Sequence, residues 1–284
     1  MKIVSDFLIK LALAEDIGPG DITTRAIVPK ERKAKAVFLA KEDGIIAGLE
    51  LAAGTFHHLN RKIKFLAGVK DGDWIKKGKI IAAVIGPAAA IITGERVALN
   101  FLQHLSGIAT LTEKYVSKVQ GPTSNVRSPK SKVKILDTRK TIPGMRALEK
   151  YAVRMGGGVN HRMGLHDAVL IKDNHIKIAG GIEKAIKAIK AKNGRKEIEV
   201  EARTVEEVRK AIRAGVDRIL LDNMSIPMLK QAVKLCKKAR IKTEASGGVN
   251  LNNVKAIAKT GVDFISVGAL THSAKALDIS LKII

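Results

Sequence analysis

The chain has 284 residues, 46% of them hydrophobic, enough to bury one large core or two modest ones, which excludes a disordered chain. Its one cysteine, Cys236, excludes a disulfide framework and a thiolate metal site, and no apolar run approaches the roughly 18 residues of a membrane span, so a cytoplasmic protein with no membrane partner is expected. The net charge of +24 suits a polyanionic partner, but the lysines fall mostly on polar faces of helical patterns such as IEKAIKAIKAKNGRK, and 3% aromatic residues leave few platforms for stacking bases, so no nucleic-acid partner is expected.

Residues 1–120 read as an N-terminal α+β domain. Met1–Ala14 has the pattern of an amphipathic helix, with charges inside MKIVSDFLIK that a signal peptide lacks. KAKAVFLAKEDGIIAGLE and RKIKFLAGVKDGDWIKKGKIIAAVIGP follow as short strands broken at Gly44, Gly48, Gly72 and Gly78. Two helices, GERVALNFLQHLSG and IATLTEKYVSKV, then form a bridge. Residues 121–132, GPTSNVRSPKSK, are polar and proline-containing and read as a flexible connection.

Between residues 133 and 272 the runs VKILDTRK, AVLIKDN, IEVEAR, RILLDN, KTEASGG and FISVGAL alternate with helical patterns, the signature of βα units around a parallel sheet. Ile182, Ala185, Ile186 and Ile189 keep a helical period, as do Val205, Val208 and Ile212, and Met228, Leu229, Ala232, Val233 and Cys236. AGVDRILLDN and TGVDFISVGA repeat one order of helix end, glycine and strand. Six such units predict an α/β barrel. Each run ends in polar residues: Arg139 and Lys140, Lys172 and Asp173, Glu201, Asp222, Glu244 and Ser246, Ser266 and Gly268. In a barrel the carboxyl ends of the strands build the active site, so these residues are expected to converge on one mouth.

The stretch DTRKTIPGMRALEKYAVRMGGGVNHRMGLHDAVLIKDNHI (Asp137–Ile176) resembles the quinolinate phosphoribosyltransferase family, and IEVEAR, RILLDNMS, EASGGVN and TGVDFISVGALTHSAKALDISLKI continue the match. LAEDIGPGDITT (Leu13–Thr24) and GERVALNFLQHLSGIAT (Gly94–Thr110) extend it over nearly the whole chain. Met145, where leucine is more usual, and the long basic 121–132 connection depart from the pattern without touching a catalytic position. The resemblance implies an incomplete barrel of six or seven strands and a sandwich-like N-terminal domain, which residues 273–284 rejoin. It implies phosphoribosyl transfer from phosphoribosyl pyrophosphate to quinolinate with decarboxylation, giving nicotinate mononucleotide for NAD synthesis. It also implies Mg2+, and a homodimer with shared active sites in which Arg96 reaches the neighbouring subunit's site.

Quinolinate carries two adjacent carboxylates, and holding a dianion out of water demands cations, best the bidentate fork of arginine. Thr138, Arg139, His161, Arg162 and Lys172, with Arg96, are the candidates. For phosphoribosyl pyrophosphate, glycine turns at strand ends bring main-chain N–H groups to phosphate; Ser246, Gly247 and Gly248, then Gly268, Ala269 and His272, stand at such turns, with Lys140 to neutralise pyrophosphate. Glu201 and Asp222 suit the ribose hydroxyls and, indirectly, substrate-bound magnesium; Lys140, Lys172, Glu201 and Asp222 are the expected catalytic residues. The plainer alternative makes Glu201 and Asp222 structural carboxylates salt-bridged to Arg203 or Lys172. Two rival functions stand beside this one: a paralogous pyrophosphorylase acting on another acidic heterocycle, and a basic nucleic-acid-binding protein, for which no helix-turn-helix, zinc or RNA-binding motif is present.

Overall fold

The computed structural model describes residues 2–121, 132–192 and 196–284, so the expected connection at 121–132 lies almost wholly outside the described residues. The chain divides into two compact units, Met1–Glu113 with Thr141–Gly157 and Ser273–Ile284, and Lys114–Lys140 with Gly158–His272. Among the described residues no helix is long and apolar enough to cross a membrane.

The first unit runs through α1 (Lys2–Ile17), α2 (Ile22–Ile27), β1 (Lys33–Ala40), β2 (Gly44–Ile45), α3 (Leu49–Leu59), β3 (Lys64–Ala67), β4 (Trp74–Ile75), β5 (Ile80–Pro87) and most of α4 (Ala88–Gln120). The last strand of the chain, β12 (Ile279–Ile283), joins it and completes an antiparallel sheet in the order β12-β1-β5-β3. Phe38 and Phe56 meet edge to face with ring centres 6.1 Å apart, and Ile46, Ile81, Ile91 and Leu102 close the core around them. Each such fully buried side chain contributes about 1.5–3 kcal/mol.

Two elements differ from expectation. LELAAGTFHHL, which follows the glycine-broken strands, is the helix α3, because Leu49, Ala52 and Phe56 recur at helical spacing and share one buried face. The two bridging helices are one helix of 33 residues, α4. Gly107 does not break it; a side chain there would stand 2.1 Å from the carbonyl oxygen of Lys275, so glycine serves the close approach of the C-terminal segment. That contact offsets the roughly 1 kcal/mol that glycine costs inside a helix.

The second unit contains β6 (Lys134–Leu136), β7 (Val169–Ile171), β8 (Ile198–Ala202), β9 (Arg218–Asp222), β10 (Lys242–Ser246) and β11 (Phe264–Ser266), all parallel, in the order β6-β11-β10-β9-β8-β7. These are the six strands expected from the apolar runs. Their inner residues are buried, as parallel strands with crossover helices on one face and the barrel interior on the other require. The crossovers carry α6 (Asp173–Ala179), α7 (Ile182–Lys192), α8 (Val205–Ala214), α9 (Ile226–Lys238) and α10 (Val254–Ala258), and α11 (Ala269–His272) follows β11. Because β6, the first strand, pairs with β11, the last, the sheet winds back on its own start, while β6 and β7 stay at opposite ends of the order and leave the barrel incomplete.

Residues 141–157, expected inside the barrel segment, group instead with the first unit. They carry α5 (Arg146–Met155), whose Glu149 is fully buried and takes hydrogen bonds from His104 Nε2 at 3.0 Å and the Ile142 main chain at 3.2 Å. Tyr151 donates to Asp71 at 2.6 Å, a second tie to the same unit.

Candidate active site

Side chains two residues apart share one face of a strand. Leu170 with Lys172, Leu220 with Asp222, Glu244 with Ser246 and Ser266 with Gly268 therefore face together, and all of them line one cavity of about 790 Å³. Glu201 joins from β8, Thr138, Arg139 and Lys140 from the end of β6, His161 and Arg162 from the β6–β7 connection, and Gly247, Gly248, Ala269 and His272 from the turns after β10 and β11. Every expected barrel residue is thus in one place. Arg96 belongs to α4 and the first unit, whereas the lining residues all belong to the second. A second cavity of about 530 Å³ beside β7 and α7 is lined largely by apolar side chains, such as Leu165, Ile171 and Ile189, and by no carboxylate.

The turns are locked from below. Gly247 has φ +92, and a Cβ on it would stand 2.2 Å from Asn223 Oδ1. Asn223, itself left-handed at φ +53, donates its main-chain N–H to the Ser246 carbonyl at 2.8 Å and its Nδ2 to Asp222 Oδ2 at 2.9 Å. The carboxylate at the end of β9 and the glycine turn after β10 are therefore fixed as a pair. The Lys140 N–H donates to Thr138 Oγ1 at 3.1 Å and its carbonyl accepts from Thr271 Oγ1 at 2.7 Å, which holds the chain end of β6 beside the last turn.

Arg162 begins a tight loop in which the Asp167 carboxylate accepts the Met163 and Gly164 N–H groups at 2.6 and 3.0 Å, while Arg162 Nη1 donates to the Ala168 carbonyl at 3.2 Å. Burial, and then the neighbouring Arg139 charge, lower the Arg162 pKa. Two guanidiniums held near each other in a half-dry pocket favour an anion.

At the mouth, Arg203 reaches Asp173 at 3.1 Å, Glu201 at 3.2 Å and Asp222 at 3.4 Å. The ion pairs of the plainer alternative are thus present for Arg203. Burial raises the Glu201 pKa, and the Asp222 and Asp173 charges raise it further against Arg203 and Lys172. Arg203 and Lys172 together still leave the three carboxylates one negative charge in surplus.

Deeper in the barrel, His161 Nε2 lies 3.3 Å from Glu199 Oε2 and 3.4 Å from Glu244 Oε1. Glu244 is fully buried and is also bonded by Arg218 Nη1 at 3.2 Å and by the Ser266 hydroxyl. Buried Asp137 holds the backbone of this segment, accepting the His161 N–H at 2.9 Å and Asn160 Nδ2 at 2.5 Å. Burial opposes charge on the imidazole, but Glu199 and Glu244 outweigh it and hold the His161 pKa up to about 9. Sequence reasoning gave no role to Glu199, Asp137 or Asn160, counted Glu244 only among the strand ends expected at the mouth, and gave Arg203 only a structural ion pair. A signal existed for Glu199 and for a deeper place of Glu244: each is a glutamate inside an otherwise buried strand, IEVEA or KTEAS.

Family models for the N-terminal and C-terminal domains of quinolinate phosphoribosyl transferase match residues 21–106 and 108–282. The chain belongs to the quinolinate phosphoribosyltransferase family. Relatives include the chloroplastic nicotinate-nucleotide pyrophosphorylase (carboxylating) of Arabidopsis thaliana, 49% identical over 97% of this chain and 82% of that protein. The probable nicotinate-nucleotide pyrophosphorylase (carboxylating) of Bacillus subtilis is 47% identical over 95% of this chain and 90% of its own. Among solved structures, the nicotinate-nucleotide pyrophosphorylase of Francisella tularensis, 40% identical, matches with a TM-score of 0.93 over 100% of this chain and 97% of that one. The mixed α/β fold expected of a quinolinate phosphoribosyltransferase, a parallel six-stranded unit and an antiparallel N-terminal unit, is the fold described above.

Proposed function

We infer that this protein transfers the phosphoribosyl group of phosphoribosyl pyrophosphate to quinolinate with loss of carbon dioxide, forming nicotinate mononucleotide and pyrophosphate for NAD synthesis. The observation that carries the reading is the single cavity in which Arg139, Arg162 and Lys172 share walls with the glycine turns after β10 and β11. In this reading the cations and Thr138 receive the two carboxylates of quinolinate, with His161 beside them. Ser246, Gly247, Gly248, Gly268, Ala269 and His272 receive the phosphoribosyl end, and Lys140 faces the pyrophosphate.

The pyridine nitrogen attacks the anomeric carbon as the bond to pyrophosphate breaks. The ring becomes a cation, takes up the electron pair left when the carboxylate next to nitrogen departs as carbon dioxide, and is protonated at that carbon. Neither step needs a side-chain nucleophile, so the protein's contribution is position and charge. Glu201 and Asp222 are assigned to the ribosyl hydroxyls and to Mg2+, which neutralises pyrophosphate when bound with it. The surplus of carboxylates around Arg203 and the raised Glu201 pKa fit a hard cation that takes oxygen ligands.

The same reading makes the protein a cytoplasmic homodimer in which Arg96 completes the neighbouring subunit's site, supported by the position of Arg96 inside the family motif Gly94–Thr110. The test is formation of nicotinate mononucleotide from quinolinate and phosphoribosyl pyrophosphate, with and without Mg2+, and with nicotinic acid in place of quinolinate. Nicotinic acid leaves one cation of a half-dry site unpaired, at a cost of about 1–3 kcal/mol, so it should react at least about tenfold less well. Equal turnover of the two acids contradicts the assignment.

A further inference from the structure

Asn223 lines the cavity where two neighbouring strands end, β9 with Asp222 and β10 with Ser246 and the glycine turn that follows it. Its backbone is left-handed, φ +53, a conformation that among the described residues only Arg240 shares outside the glycines. Glycine, asparagine and aspartate adopt it at the least cost. Two of those three do not suit this place: glycine has no side-chain donor, and aspartate would set a second carboxylate against Asp222. Asparagine combines the backbone conformation with a neutral amide that both donates and accepts.

That amide meets both strand ends. Its Nδ2 donates to Asp222 Oδ2 at 2.9 Å, and Arg203 Nε reaches the same oxygen at 3.4 Å. Asp222 Oδ1 accepts no hydrogen bond from the described residues, so one oxygen is held by the protein and the other is left for a ligand. The same amide lies against the turn, where a Cβ on Gly247 would stand 2.2 Å from Asn223 Oδ1 and 2.4 Å from Cγ. The Asn223 N–H donates to the Ser246 carbonyl at 2.8 Å, and Asn253 Nδ2 holds the Gly248 carbonyl at 2.9 Å. The main-chain N–H groups of Gly247, Gly248 and Val249 donate to no acceptor among the described residues, which leaves them for an anion.

We propose that Asn223 is a positioning residue for the phosphoribosyl group: its one amide fixes which oxygen of Asp222 meets the ribosyl hydroxyls and how the Gly247–Gly248 turn stands beside it. The spacing between the hydroxyl site and the phosphate site is then set by a single side chain. The proposal rests on the reading that phosphoribosyl pyrophosphate binds between these strand ends.

The experiment uses the full-length protein and the variant Asn223→Gly, which keeps the left-handed backbone without steric cost and removes only the amide. Steady-state kinetics vary each substrate in turn, calorimetry titrates nicotinate mononucleotide without Mg2+, and thermal unfolding follows the fold. The melting temperature should stay near that of the wild type, because relieved backbone strain offsets the lost hydrogen bond. The KM for phosphoribosyl pyrophosphate and the Kd for nicotinate mononucleotide should each rise about tenfold, while the KM for quinolinate stays within about twofold. Phosphoribosyl pyrophosphate and nicotinate mononucleotide constants within about twofold of wild type, or a quinolinate KM that rises as much as they do, overturn the proposal. If Asn223→Gly does not fold, Asn223→Asp, which keeps the shape and turns the donor into a second carboxylate beside Asp222, takes its place with the same expected split. Failure of the phosphoribosyl reading itself is seen separately, as a wild-type protein that binds neither phosphoribosyl pyrophosphate nor nicotinate mononucleotide.

Discussion

Two groups of carboxylates stand one layer apart in the barrel, and they share a strand: Glu199 and Glu201 are two residues apart on the same face of β8. The mouth group, Glu201 with Asp173 and Asp222, is gathered by Arg203, whose side chain is 53% exposed. The floor group, Glu199 with Glu244, is gathered by His161, whose side chain is 9% exposed. Arginine keeps its charge at any pH the protein meets, and water screens the ion pairs it makes at a surface. Histidine is charged only as its neighbours dictate, and little water reaches this one. The mouth is thus a standing ion network at the open end of the cavity, while the floor is a nearly dry group whose charge depends on pH.

The largest effect is expected where the pocket itself loses a cation. Arg162→Ala leaves a substrate carboxylate unpaired in a half-dry site, a loss of about 3–4 kcal/mol, so kcat/KM for quinolinate should fall several hundredfold with the fold intact by circular dichroism. A fall of only a few fold would move the carboxylate site elsewhere in the cavity.

Whether all the cations come from one chain sharpens the comparison further. Arg96→Ala and Lys172→Ala proteins, each nearly inactive, should recover about a quarter of wild-type activity once subunits exchange, because half the dimers are mixed and each mixed dimer has one intact site of two. Exchange verified by mass with no recovery would confine Arg96 to its own chain.

The floor group should also leave a mark on stability. His161 has a folded pKa of about 9, above its ordinary value of 6.5. Its stabilisation is therefore fully present below about pH 6.5 and is lost as pH rises through 9, by about 3 kcal/mol at most. Chemical denaturation at pH 7 and pH 10 should show the wild type losing more stability than Glu244→Gln. Parallel losses would dissociate His161 from Glu244.

Much of this was legible in the sequence, and for a physical reason. A parallel strand covered on both faces must be a short apolar run, so all six barrel strands could be read, and a polar residue ending each run marked the mouth. Glu199 went unassigned, and Glu244 was read only as a strand end of the mouth, because a charge inside a buried strand has meaning only when its partner, His161, arrives from a distant connection. Gly107 was read as a helix break because its packing partner, the Lys275 carbonyl, is remote in sequence. The helix α3 was missed because the strand reading ran to Glu50 and Gly54, a weak helix former, lies inside the segment that follows.

The most direct test of the division between mouth and floor is kinetic, with Glu201→Gln and Glu244→Gln measured side by side while quinolinate, phosphoribosyl pyrophosphate and Mg2+ are varied in turn. The account predicts a split. Glu201→Gln should lower kcat by roughly a hundredfold and weaken the dependence on phosphoribosyl pyrophosphate and Mg2+, leaving the KM for quinolinate within about twofold. Glu244→Gln should do the reverse, raising the KM for quinolinate and leaving the Mg2+ dependence unchanged. If both variants move the same parameters by similar factors, the two carboxylate groups act as one, and the separation of roles argued from Arg203 and His161 is wrong.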